Sequence, residues 1–140
     1  MRILLPVDGS AFSKRVLGYL GDHARMFRGA VAYTLVHVQT PIPLRARAII
    51  DEEHLEAMHA TETERATRTT LAFLKRKGWN WRLVTRRGVP GNEIARLAER
   101  GRFDLIVMGS HGHGALGALL LGSTSQRVMA RCRVPVLLVR

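Results

Sequence analysis

The chain has 140 residues, 46% of them hydrophobic, which suits one domain with a core of its own. Its single cysteine, Cys132, excludes an internal disulfide and a cysteine-based zinc cluster. The net charge of +11 is spread along the chain with no block of five like charges, and only 6% of residues are aromatic. That is an arginine-rich surface rather than a nucleic-acid stacking platform.

In chain order, Arg2 to Val7 is an apolar run of strand length. It is too short for a signal sequence, and no run approaches the roughly 18 residues of a membrane span. The expectation is a cytoplasmic protein with no membrane partner. Asp8-Gly9-Ser10 ends the strand, and Ser10 suits a helix N-cap. Residues 11–28 carry Phe12, Val16, Leu20, Ala24 and Phe27 near helical spacing, and Gly29 closes the helix. Val31 to Val38 reads as a second strand, followed by a loop with Pro41 and Pro43. Asp51 to Lys77 is a long helix, acidic at its start and basic at its end as the helix dipole prefers, with Glu64 and Arg68 spaced as an i, i+4 pair.

Trp81 to Arg87 is a third strand, and Arg82 and Arg86 suit an edge position. Pro90 suits a helix start, and residues 92–100 form a short helix. Asp104 to Met108 is a buried strand, followed by a glycine-rich loop to Gly122. Ser123 to Arg131 is the last helix, and Val134 to Val139 the last strand. Strict alternation of strands and helices predicts one doubly wound α/β domain over residues 1–140. Its sheet has five parallel strands in the order 3-2-1-4-5. The order reverses between strands 1 and 4, so a ligand is expected at their carboxyl ends, beside Asp8-Gly9-Ser10 and the 109–122 loop.

That loop holds Gly109, Gly112, Gly114, Gly117 and Gly122, and then opens a helix with Ser123-Thr124-Ser125. Glycine lets backbone approach a ligand closely, and uncapped amides at a helix start attract phosphate. The Walker pattern is absent. Gly112, Gly114 and Gly117 spell G-x-G-x-x-G, but after the fourth strand and with no acid beyond Asp104 to hold a ribose. The spacing Gly109-x2-Gly112-x9-Gly122-Ser123 resembles the ATP-binding signature of the universal stress protein family. So do Ile3-Leu-Leu-Pro-Val-Asp-Gly-Ser10, Leu35-Val-His-Val38, Gly88-Val-Pro90, Asp104-Leu-Ile-Val-Met-Gly-Ser-His-Gly112 and Val134-Pro-Val-Leu-Leu-Val139.

The resemblance covers essentially the whole chain and implies the adenine nucleotide α-hydrolase-like fold. By position it places Pro6, Val7, Asp8 and Val38 at adenine and Met108 and Gly109 near ribose. Gly112, Gly122, Ser123 and Thr124 fall at the phosphates, with His111, His113 and Ser125 beside them. It implies ATP with Mg2+ or Mn2+ riding on the phosphates, no dedicated metal site in the protein, and a homodimer through Val134 to Val139. Many ATP-binding members carry Arg or Lys where His113 stands, so His113 either supplies a pH-dependent charge or faces solvent.

No residue set points to a catalytic base, which favours a regulator with slow or no hydrolysis, at most a weak ATPase. The alternative is a nucleotide-independent dimeric scaffold or a basic adapter for acidic partners. Among the other titratable residues, His54 and His59 read as surface histidines, His37 as a packing residue and Cys132 as a core thiol on the last helix.

Overall fold

The computed structural model describes residues 1–27, 29–43, 49–111 and 121–140. Five strands form one sheet: β1 (Arg2–Pro6), β2 (Ala32–Gln39), β3 (Asn80–Arg87), β4 (Leu105–Gly109) and β5 (Val136–Val139). The helices between them are α1 (Ala11–Asp22), α2 (Glu52–Arg76), α3 (Pro90–Gly101) and α4 (Ser123–Arg131), with a 3-10 turn at Ala24–Met26. The sheet order is β3-β2-β1-β4-β5 and the pairings are parallel, as the alternation predicts. β1 pairs Arg2 with Ala32 of β2 on one side and Ile3 with Leu105 of β4 on the other.

Both faces of the sheet are covered at its centre, so β1 and β4 carry the continuous apolar runs Ile3–Leu5 and Leu105–Met108. Successive side chains of β1 serve opposite layers. Ile3 and Leu5 join Val16, Leu20 and Leu74 beneath α1 and α2, while Leu4 joins Ile94, Ala98, Ile106 and Val128 beneath α3 and α4. The same alternation in β2 turns Tyr33 and Leu35 toward α1 and α2, and Val36 toward α3.

Local chemistry sets the element ends. Ser10 caps α1 by accepting from the Ser13 amide at 3.3 Å. The helix stops at Asp22, short of the expected residue 28. His23 leaves helical geometry, and both its amide and its ring Nδ1–H bond to the Tyr19 carbonyl. Asp51 caps α2 through the His54 amide at 2.9 Å. The pair expected between Glu64 and Arg68 is not among the ion pairs of the described residues. Arg87–Glu56 and Arg96–Glu93 are, at 3.4 and 2.6 Å. β5 begins at Val136 rather than Val134. Cys132 stands at the C-cap of α4 rather than on the helix, partly buried against the second core layer. His59, expected on the surface, is 8% exposed. Among the described residues, no helix is long and apolar enough to cross a membrane.

Candidate functional site

Where β1 ends, the chain must turn sharply under α2. Gly9 adopts φ +77°, and a Cβ there would stand 3.1 Å from the Ala66 backbone. The turn is held by Asp8. Its Oδ1 accepts from the Ser10 amide at 2.9 Å and from the Ser13 hydroxyl at 2.6 Å. This carboxylate therefore fixes the first turn of α1.

At the end of β4, Gly109 is required sterically, because a Cβ would lie 2.6 Å from Cβ of Phe12. The Gly109 carbonyl accepts from the Ser125 hydroxyl at 3.0 Å, and the Gly122 amide donates to the Ser110 carbonyl at 2.8 Å. These bonds hold the start of α4 against the end of β4. The N-cap of α4 is Gly122, so no side chain caps that terminus. Its first amides lie at the positive end of a nine-residue helix. His111 packs at a tilt against Phe12 with ring centroids 5.1 Å apart and holds Ser110 Oγ through Nδ1 at 2.9 Å. Its buried Nε2 has no hydrogen-bond partner among the described residues.

Between these ends lies a cleft of about 550 Å³ at the carboxyl edge of the sheet. Pro6, Val7 and Asp8 line it from β1 and the turn after it, and Val38 from β2. Met108, Gly109 and His111 enter from β4 and beyond, and Gly122, Ser123, Thr124 and Ser125 from the start of α4. Gly112 and His113 lie outside the described residues. A larger open trough of about 910 Å³ runs between α2 and the edge strand β3, from Lys75 and Leu83 to Gln39 and Arg87. Its walls are side chains of a helix face and an edge strand, so it lacks the helix-start amides of the cleft.

The cleft also has walls that sequence spacing did not reveal. Glu62, Arg65 and Ala66 of α2 close one side, Pro90 and Ile94 of α3 the other, and His37 of β2 stands between. His37 is 4% exposed and its Nδ1 lies 3.0 Å from the Val7 carbonyl. A carbonyl only accepts, so Nδ1 carries the proton. Nε2 then faces Glu62 Oε1 at 3.7 Å and has no hydrogen-bond partner. The other oxygen of Glu62 is 3.9 Å from His59 Nδ1. No group of three metal-binding side chains occurs among the described residues.

The family model described as "Universal stress protein family" matches residues 1–140. This chain belongs to the universal stress protein family. A universal stress protein of Thermus aquaticus is 35% identical over 99% of this chain and 97% of its own length. Among solved structures, the Methanocaldococcus jannaschii protein MJ0577 superposes with a TM-score of 0.77 at 30% identity. That alignment covers 99% of this chain and 94% of that one. A universal stress protein from Archaeoglobus fulgidus, solved in complex with dAMP, has the same fold at a TM-score of 0.70 and 20% identity, over 100% and 98% of the two chains. The universal stress protein fold thus accounts for the strand order, and the cleft sits at its topological switch point.

Proposed function

We propose that the cleft binds an adenine nucleotide and that this universal stress protein uses ATP as a regulatory ligand, with slow or no hydrolysis. The observation that carries the reading is the start of α4, which no side chain caps and which lines the same cleft as the apolar side chains of Pro6, Val7 and Val38. Phosphate oxygens fit the Ser123 and Thr124 amides and hydroxyls, where the helix dipole adds attraction. The purine fits the wall formed by Pro6, Val7 and Val38. Arg65, a cation on the cleft wall, adds to the attraction of the cleft for an anionic ligand. The described residues hold no metal cage, so Mg2+ or Mn2+ would ride on phosphate oxygens and water. Neighbours of this fold solved with AMP, dAMP and cAMP fit the same ligand class. ATP then acts by favouring one conformation or partner over another.

The test is Ser123→Asp. An acid in the first turn favours the helix but repels phosphate. The variant should unfold no earlier than the parent and bind ATP about tenfold or more weakly, while adenosine affinity, by calorimetry, stays unchanged. Unchanged ATP affinity would place the phosphates elsewhere. Lack of ATP binding by the parent would favour the nucleotide-independent scaffold.

A further inference from the structure

We infer that His37 and Glu62 together read the exocyclic amino group of the bound base, and so select a 6-aminopurine over a 6-oxopurine. This rests on the nucleotide reading of the cleft and adds the residues that set its base preference. The Val7 carbonyl holds the His37 proton on Nδ1, so whenever the ring carries one proton Nε2 is an acceptor. Among the described residues that atom is buried without a hydrogen-bond partner, and Glu62 Oε1, 3.7 Å away, is a second acceptor. Two acceptors cannot bond each other, so the pair needs either a proton on Nε2 or a donor that reaches both. A primary amino group has two N–H bonds and serves one to each. Glu62, 43% exposed, can swing to admit it, while His37, its side chain 5% exposed, stays fixed against Val7.

The position agrees with the chemistry. β2 lies two strands from β4, about 10 Å across the sheet, so it stands roughly a nucleoside's length from the start of α4. A nucleotide with its phosphates on α4 therefore brings its base to the end of β2, where His37 and Glu62 line the cleft. A 6-oxo group would set a third acceptor against these two, which disfavours the wrong base. A proton on Nε2 would also complete the pair, but a proton does not discriminate between bases, and the test uses that difference.

The test compares ATP with inosine triphosphate, which replaces the amino group by an oxo group, on the parent chain, Glu62→Ala and His37→Phe. Glu62 is on the outer part of a helix, so its alanine variant should fold, and a thermal melt checks both variants. The parent should prefer ATP by tenfold or more. Glu62→Ala should cut that ratio by about tenfold, chiefly through weaker ATP binding, and His37→Phe should reduce it as well. A parent that binds both nucleotides equally, or a ratio unmoved in Glu62→Ala, overturns the assignment while the nucleotide reading stands. A parent that binds neither nucleotide overturns both.

Discussion

At the scale of single residues, close approach decides more than charge does. Gly109 is the tightest point of the site, because β4 passes directly beneath the first turn of α1. Gly109→Ala would press a methyl carbon to within 2.6 Å of the Phe12 side chain. Overpacking of this kind costs about 1–3 kcal/mol, so the thermal midpoint should fall, as circular dichroism would record. A variant as stable as the parent would mean that Phe12 can withdraw. Cys132 is the other residue with a definite expectation. Burial pushes its thiol above the ordinary value, and the nearby Glu99 carboxylate adds to the shift against the opposing hydrogen bond from the Val134 backbone. The thiolate is the reactive form, so iodoacetamide should modify Cys132 more slowly than glutathione at neutral pH. Equal rates would show that the thiol is less sheltered than its surroundings imply.

At the scale of elements, α2 does two jobs. Its buried residues, Leu55, Ala66 and Leu74 among them, cover one face of the sheet, while Glu62 and Arg65 close the cleft. Where the helix starts therefore sets the position of the cleft wall. Asp51 anchors that start, and hydrogen bonds from the His54 amide and then from its ring hold the Asp51 carboxyl below its usual range. A carboxyl lowered on folding stabilises the fold above its unfolded value, and that contribution is lost as pH falls through the folded value. Asp51→Asn keeps a capping oxygen but cannot ionise. Its melting point should depend less on pH across the carboxylate range than the parent's does, and an identical pH profile would rule out this contribution. α4 behaves differently. It is short and starts at a glycine, so its amides stay open to a ligand instead of being satisfied by its own sequence.

At the scale of the whole molecule, the sheet has two edges with different chemistry. β3 carries arginines whose guanidinium groups bond back to β2, Arg82 to the Thr34 hydroxyl at 3.0 Å and Arg87 to the Gln39 side-chain oxygen at 3.2 Å. β5 is apolar and half-buried. Ile106 and Ser110 donate to the carbonyls of Pro135 and Val139, so the odd-numbered residues of β5 serve the ladder with β4. By the parallel pattern, the peptide groups of Val136 and Leu138 point to the open edge. We propose that this edge pairs with the same strand of a second chain. Leu138→Pro removes one outward amide and leaves the β4 ladder intact. It should convert a dimer to a monomer in light scattering while the fold persists. A parent that is monomeric at micromolar concentration would overturn the pairing.

Much of this was legible in the sequence, for reasons that act locally. Apolar runs of strand length, the caps at Ser10 and Asp51, the helix-starting Pro90 and the strict alternation of elements set the element order. Alternation admits few topologies, so the strand order followed as well. The glycines at 109 and 122 marked one end of the cleft because close backbone approach leaves its own signature in composition. What tertiary structure alone decided is the opposite wall. His37, Glu62 and Arg65 sit on a strand and a helix in unremarkable local patterns, and only the docking of α2 across the ends of β1 and β2 makes them neighbours. Helical spacing shows which residues of α2 share a face. What that face meets is set by packing the apolar layer beneath it, which no local signal in the chain encodes.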